Sequence, residues 1–349
     1  MRHYLLPAIF CIFLFSASNA QTRFVSVQNP SSSVLITFSS DATQNDKQQI
    51  FTMDINGDNV QEVCYGELDC YAPRFSPDGK KIVYSATNIV SDYIYMIDLD
   101  DSATISFPKF IDGGSDPVFS PDGKYLLYRS EKNLDNAIYI LDLGTDSSYM
   151  INDGSLSTHA EFSPDGSKII YSSSLNENFD IVVLDLEDTT DNAQRVIAGT
   201  SDAEIYGTFS PDGSTVAYAS FNIYYKGTVH LCSSDGSSNA AISKGMGSSY
   251  NPKFSPDGTK LAFVSDKTGK YEVYIYYIDG SGIKQLTSKN GDTIEFDWSP
   301  DSRKIVFESM KESVSSINVI DIETGETTNL TGEKANNINP CFQKIALGR

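Results

Sequence analysis

The residues of this chain that could do chemistry recur at one position of a repeated unit, three residues before an aromatic residue that opens a turn. The position is occupied in order by Ala72, Asp116, His159, Tyr206, Asn251, Glu295 and Asn339. The residue type changes from copy to copy while the positions around it repeat. Because binding groups are often presented on such variable positions of a rigid scaffold, we predict partner contacts from Asp116, His159, Tyr206, Asn251 and Glu295.

Three of these residues, Asp116, His159 and Glu295, could instead act as general acids and bases. Catalysis would require the three side chains to converge within about hydrogen-bond reach in one pocket and to have shifted pKa values. A third interpretation is drift of an exposed position at the end of a loop. The three interpretations differ in where they place the side chains relative to one another.

Other catalytic and metal-binding patterns receive little support from the sequence. Beyond residue 20 the chain has two histidines, His159 and His230, which is too few for a histidine metal centre. A Gly-x-Ser-x-Gly elbow of a serine hydrolase does not occur. Residues 54–58 resemble a calcium loop, but their Asn-Gly pair is a strong hairpin signal and the later ligand spacing is missing. We therefore expect no enzymatic activity, no cofactor and no metal.

The element that must position the variable residues is the repeated turn Phe-Ser-Pro-Asp-Gly. Five full copies begin at Phe75, Phe119, Phe162, Phe209 and Phe254, and a sixth begins at Trp298 with Ser in place of Gly. The copies are 43 to 47 residues apart, which is the spacing of a repeat architecture. Ser, Pro, Asp and Gly are the residue types of a hairpin turn that ends in a left-handed glycine.

Each repeat holds four short β-rich runs separated by turn residues, and no long helical periodicity occurs. Four strands per repeat of about 45 residues predict the blade of a β-propeller. Residues 34–38, 49–55 and 60–64 match the second, third and fourth strands of a blade that lacks its first strand. The Asn-Pro-Cys-Phe segment that ends at Phe342 copies the start of a repeat, so we predict that it closes the ring.

The predicted fold is therefore all-β: a seven-bladed propeller of four-stranded antiparallel blades, closed by the C-terminal strand. Six blades are the alternative, and residues 24–28 could instead supply the first inner strand. In this fold the variable position lies where the loop from the preceding blade enters the inner strand, near one mouth of the central channel.

The repeats resemble those of the TolB family of propellers. The resemblance is carried by the Phe-Ser-Pro-Asp-Gly-Lys-Lys-Ile-Val-Tyr segment at residues 75–84 and the Tyr-Ile-Tyr-Met-Ile-Asp segment at residues 93–98, and the repeats span residues 34 to 345. It implies a periplasmic protein that binds a protein partner, an envelope lipoprotein in TolB itself. It also implies six blades and an N-terminal α/β domain, for which we expect no room before residue 34.

The N-terminus reads as a signal peptide over residues 1–20, with a short basic start, an eleven-residue apolar stretch and a small-residue cleavage site. We expect residues 21–349 to form a single TolB-like propeller domain that is periplasmic or secreted, monomeric, and without a transmembrane segment after cleavage. The net charge of −20 argues against nucleic acid and anionic membranes as partners. In an oxidising compartment, Cys64 and Cys70 could form a disulfide or remain thiols.

The function that these observations favour is an exported, non-catalytic scaffold that binds a protein or peptide at a mouth of the channel. The alternative is a carbohydrate-binding protein or a glycan-active enzyme that uses the central channel. An aromatic or apolar patch at one mouth would favour the scaffold.

Overall fold

The structure is a computed structural model that describes residues 34–43, 47–64, 66–88, 90–99, 111–130, 136–152, 155–174, 178–188, 193–288 and 291–344. Within these ranges the regular secondary structure is entirely β. The predicted signal peptide, residues 1–20, and the alternative first strand, residues 24–28, lie outside them. In the described part of the chain, no helix has the length and apolar character needed to cross a bilayer.

The described residues form 28 strands in seven four-stranded antiparallel sheets. The first fifteen strands are β1 (Leu35–Ser40), β2 (Gln49–Asp54), β3 (Gln61–Glu62), β4 (Asp69–Phe75), β5 (Lys81–Thr87), β6 (Asp92–Asp98), β7 (Ile111–Asp112), β8 (Gly114–Phe119), β9 (Tyr125–Ser130), β10 (Ala137–Asp142), β11 (Ser148–Met150), β12 (Ser157–Phe162), β13 (Lys168–Ser173), β14 (Asp180–Asp185) and β15 (Gln194–Ala198). The remaining strands are β16 (Ala203–Phe209), β17 (Thr215–Phe221), β18 (Gly227–Ser233), β19 (Asn239–Ala241), β20 (Ser249–Phe254), β21 (Lys260–Ser265), β22 (Glu272–Tyr277), β23 (Gly282–Gln285), β24 (Asp292–Trp298), β25 (Lys304–Lys311), β26 (Val314–Asp321), β27 (Thr327–Asn329) and β28 (Asn337–Phe342).

Each sheet is one blade of a ring, which confirms the prediction of a seven-bladed propeller. Blade 1 has the strand order β28-β1-β2-β3, and blades 2 to 7 follow in chain order as β4 to β7, β8 to β11, β12 to β15, β16 to β19, β20 to β23 and β24 to β27. The first strand of each blade is the inner strand. We call the end of the ring where the inner strands begin the upper face, and the end that carries the Phe-Ser-Pro-Asp-Gly turns the turn face.

The ring is held together by seven apolar clusters, one between each pair of adjacent blades. Between blades 6 and 7, for example, Val264 and Ile275 pack against Phe296 and Phe307. A blade alone would expose both of its apolar faces, so each blade depends on its two neighbours for burial. The closed ring is therefore a rigid support for the residues that line its axis.

The C-terminal strand closes the ring, as the sequence predicted. In blade 1, Phe342 of β28 pairs with Ile36 of β1 in the same way as Phe75 pairs with Ile82 in blade 2. Gln343 locks the junction, because its amide donates to Leu35 O at 2.8 Å and its side-chain amide donates to Gly79 O at 2.8 Å. Phe342 is fully buried in the cluster between blades 7 and 1.

The repeated turns have the predicted chemistry in all six copies. The Ser hydroxyl donates to the Asp carboxylate at 2.5 to 2.7 Å. The five motif glycines have φ between 69° and 76°, and Ser302 adopts the same left-handed conformation in the sixth copy with φ 60°. The hydrogen bonds lower the pKa of Asp122, Asp165 and Asp257 to about 2, against the desolvation that burial causes.

These depressed pKa values predict a specific acid response. Since the native Asp165 carboxylate has a pKa of about 2 and the usual value is 3.8, the unfolded state binds more protons than the native state in this window. The contribution of Asp165 to stability is thus present above pH 3.8 and lost as the pH falls toward 2. In Asp165→Asn, urea unfolding between pH 5 and pH 2 should show a smaller acid-dependent loss of unfolding free energy, whereas the exposed control Glu326→Gln should retain the slope of the parent. Equal slopes for parent and Asp165→Asn would contradict the assignment.

The four described cysteines are free and buried. The sulfurs of Cys64 and Cys70 lie 3.6 Å apart, and the Tyr84 hydroxyl donates to Cys64 Sγ at 3.1 Å, so the alternative of a disulfide is not formed in this structure. Cys232 and Cys341 pack as small apolar side chains, as expected. The segment from Asp54 to Asp58 is a turn, since Asp54 Oδ1 accepts the amides of Asn56 and Asp58.

Candidate functional site

The variable position lies within the inner strands, on a β-bulge. The expectation that it lies where a loop enters the strand was wrong: Asp116 is the third residue of β8, and Tyr206 is the fourth of β16. The register of each inner strand with its neighbour shifts near this position, for example between Ser115 and Val118 and between Ile205 and Thr208. An extra residue in one strand re-aims the side chains around it, and bulges are common next to functional sites.

Six of the seven residues at this position have left-handed backbone. Their φ angles lie between 50° and 62°, in Ala72, Asp116, His159, Tyr206, Asn251 and Asn339. Glu295, in the equivalent place on β24, is outside this group. Left-handed backbone costs a non-glycine residue roughly 1–2 kcal/mol, so it persists only where surrounding contacts impose it.

Contacts from neighbouring blades support the bulges. The amide of Asp116 donates to Ser85 Oγ at 3.0 Å, and the amide of Asn339 donates to Glu308 Oε2 at 3.2 Å. Ser85 and Glu308 both lie on the second strand of the preceding blade, directly after its central aromatic residue. In blade 3 the same place is held by Arg129. The sequence reasoning missed this second variable position, although its spacing from the Tyr or Phe before it could have shown it.

Aromatic rings line the mouth on blades 4 to 6. The ring centroid of Tyr206 lies 4.3 Å from that of His159 and 6.0 Å from that of Tyr250, which in turn lies 5.4 Å from that of Tyr271. Phe221 extends this aromatic cluster outward, 6.5 Å from Tyr206. Tyr250, Tyr271 and Phe221 were not predicted, because they sit on different strands and meet only through the curvature of the ring.

Carboxylates flank the aromatic cluster. Glu295 Oε2 accepts from Asn251 Nδ2 at 3.2 Å and lies 3.4 Å from Lys253 Nζ. On the other side, Asp116 Oδ2 lies 3.3 Å from Arg129 Nε. Four of the five predicted binding residues are therefore joined in pairs, Tyr206 with His159 and Asn251 with Glu295. Asp116 stands on the far side of His159.

The electrostatics of the mouth keep His159 neutral. Although solvent reaches this side chain, the surrounding protein desolvates it and lowers its pKa, while the carboxylates of Asp116 and Glu295 act in the opposite direction. Burial raises the pKa of Tyr206, and Glu295 adds to the increase. At neutral pH the mouth therefore presents an uncharged imidazole, phenol hydroxyls and ionised carboxylates.

The three residues proposed for acid–base catalysis lie within electrostatic reach of one another but are not linked. His159 senses both carboxylates, yet no hydrogen bond joins any two of Asp116, His159 and Glu295. The carboxylates are engaged with cations and an amide instead. Across the described ranges, no group of three His, Cys, Asp or Glu side chains is placed to hold a metal ion. His230 is elsewhere, stacked on Tyr218 in the third strand of blade 5.

Just outside the aromatic cluster, a rigid turn displays three apolar side chains. Ile223, Tyr224 and Tyr225 are 78%, 76% and 86% exposed. Asn222 fixes the turn, because its side-chain oxygen accepts the Tyr224 amide at 2.9 Å and its carbonyl accepts the Tyr225 amide at 2.8 Å. The turn follows Phe221 directly, so the aromatic surface continues from the channel outward over the upper face of blade 5.

Solved structures share this fold. A putative TolB from Agrobacterium tumefaciens is 25% identical with a TM-score of 0.51, over 64% of this chain and 84% of that chain. TolB from Acinetobacter baumannii is 20% identical with a TM-score of 0.55, over 89% of this chain and 66% of that one, so this chain spans slightly less than two thirds of that TolB. An oligogalacturonate lyase solved in complex with manganese is 16% identical with a TM-score of 0.62, over 87% of this chain and 86% of the lyase.

The sequence comparisons agree on the family. No curated protein sequence matches the chain significantly. The TolB beta propeller domain matches it over residues 36–204 and 184–345, which together span nearly all of the described strands. Because this match covers well over half of the chain and agrees with the seven-bladed ring, the chain belongs to the TolB beta propeller domain family.

Proposed function

We propose that the chain is an exported, non-catalytic scaffold that binds a protein or peptide at the upper mouth of its channel. The binding residues in this proposal are Asp116, His159, Tyr206, Asn251 and Glu295. Residues 21–349 act as one propeller domain, as a monomer in the periplasm or outside the cell. Kinship with TolB makes an envelope lipoprotein the first partner to test.

The observation that carries this proposal is the aromatic cluster around Tyr206 beside an exposed apolar turn. Aromatic side chains are enriched at the centres of protein interfaces, where they bury large areas at little conformational cost. The polar residues around Tyr206 stand on strained bulges that the ring holds in place. A rigid, pre-organised surface loses little entropy on binding, which suits recognition without chemistry.

A second candidate is carbohydrate binding. The Tyr206 and Tyr250 rings could stack on sugar faces while Asp116 and Glu295 accept hydrogen bonds from sugar hydroxyls. Catalysis on a glycan has less support, because the acid–base groups are not linked to one another. The two candidates therefore differ in ligand class rather than in the location of the site.

Affinity capture tests the proposal directly. The mature chain, Tyr206→Ala, Glu295→Gln and the turn-face control Lys124→Ser are immobilised and exposed to an envelope extract of the host. We expect the parent and Lys124→Ser to retain one protein in stoichiometric amount, and both mouth variants to lose it. Retention by all four proteins would contradict the upper mouth as the site. A glycan-array signal that Tyr206→Ala abolishes, without protein capture, would establish the second candidate instead.

A further inference from the structure

Several polar atoms of the upper mouth have no partner within the described chain. The hydroxyl groups of Tyr206, Tyr250 and Tyr271 form no hydrogen bond there. Glu295 uses only Oε2 and Asp116 uses only Oδ2, which leaves one oxygen of each carboxylate available. These are acceptors for a donor that approaches from the channel.

The resident cations of the mouth are already engaged. Lys253 Nζ donates to Phe296 O at 2.7 Å, lies near Glu295, and sits 5.1 Å from the centroid of the Phe296 ring. Arg129 donates to Asp116 and, at 3.0 Å, to Asn136 Oδ1. Lys253 also shows that this site stabilises an ammonium group by an aromatic face and a carboxylate together.

The long-range field points to the same ligand. A net charge of −20 attracts cations and repels anions during encounter. Within the mouth, the faces of Tyr206 and Tyr250 carry the negative side of the aromatic quadrupole, and the free carboxylate oxygens lie on either side of the aromatic cluster. A positive group would therefore gain from both the field of the whole protein and the local contacts.

We propose that the upper mouth selects a peptide that places a Lys or Arg side chain between Tyr206, Tyr250 and the carboxylates of Glu295 and Asp116, with apolar flanking residues on the Ile223–Tyr225 turn. This inference rests on the proposed function and narrows it to one class of partner. The apolar turn is continuous with the aromatic cluster through Phe221, so one short extended segment reaches both. A single free amine would use only the first part of this surface.

A displayed library of random linear heptapeptides provides the test, with selection on the immobilised full mature chain. The parent should enrich peptides that have Lys or Arg at one fixed position beside apolar residues. Synthetic versions of an enriched peptide with Gln in place of the basic residue should bind about tenfold more weakly, the size expected for a partly desolvated cation–aromatic contact. Selection on Glu295→Gln and Asp116→Asn should weaken the preference for the basic residue.

Matched variants separate the two halves of the surface. Ile223→Ser with Tyr225→Ser should keep the basic preference and lose the apolar one, whereas Met150→Ser on the outer strand of blade 3 should change neither. Enriched peptides without a basic residue would overturn this inference and leave the proposed function standing. A basic preference that survives Glu295→Gln and Asp116→Asn would assign it to net charge and overturn the site. A library without any enrichment would contradict both proposals.

Discussion

Ending the chain at Asn336, before the closing strand, is expected to abolish cooperative folding of the whole ring. Phe342 is fully buried, and truncating a buried Phe to Ala alone costs about 3–5 kcal/mol. Domains have only about 5–15 kcal/mol of total stability. The deletion also exposes the cluster between blades 7 and 1 and leaves β1 without its inner partner. Calorimetry should therefore show no cooperative unfolding transition, and the shortened chain should bind a hydrophobic dye.

A transplant of the same strand is the matched control. Because Phe342 pairs with Ile36 as Phe75 pairs with Ile82, residues 337–342 followed by Ser-Pro-Asp-Gly-Lys can be fused directly before Leu35. This variant has the ordinary connectivity of a blade and should recover the cooperative transition. A truncated chain that keeps its melting temperature would contradict closure by β28. A transplant that stays unfolded would show that blade 1 is not equivalent to the others.

Tyr206→Gly is expected to remove binding while leaving stability nearly unchanged. Truncation of a central aromatic residue in an interface costs about 2–4 kcal/mol, or about 30- to 1,000-fold in affinity. Tyr206 has φ 62°, and glycine adopts this conformation without steric cost, so relief of strain offsets part of the lost contact with His159. We expect the unfolding free energy to change by less than about 1 kcal/mol. Binding is measured by titration against the captured partner, and stability by urea unfolding.

Ala72→Gly is the control for this prediction. Ala72 has φ 50° at the same position of blade 2 but no functional side chain. Its replacement should keep binding intact and raise the unfolding free energy by up to about 1 kcal/mol, because only the strain is removed. Equal loss of affinity in Ala72→Gly and Tyr206→Gly would mean that the bulge itself, rather than the side chain, is required. Unchanged affinity in Tyr206→Gly would contradict the proposed site.

The fold could be predicted from the sequence because its information is local and repeated. The turn residues from Phe75 to Gly79 fix a hairpin by their own conformational preferences, and six copies report the same unit. The count of seven blades followed from the partial copy that ends at Phe342. Its pairing with Ile36 in the structure confirms that reasoning.

The candidate site could be predicted only in part. Position alone singled out Tyr206 and Glu295, but the bulge that carries Tyr206 was missed. The bulges depend on hydrogen bonds from neighbouring blades, such as that of Ser85 with the Asp116 amide, and no local pattern encodes them. Tyr250 and Tyr271 were missed for a related reason, since they reach the mouth from two different strands of blade 6.

By itself, the sequence of this protein determined the repeating unit, the all-β class and the closure of the ring, since turn chemistry and strand alternation act over a few neighbouring residues. Only the tertiary structure decided which side chains share the upper mouth. Residues some 44 positions apart, such as Asn251 and Glu295, become neighbours only when the blades stand around one axis. The ring converts a variation along the chain into a variation around a channel, and the binding surface exists only after that conversion.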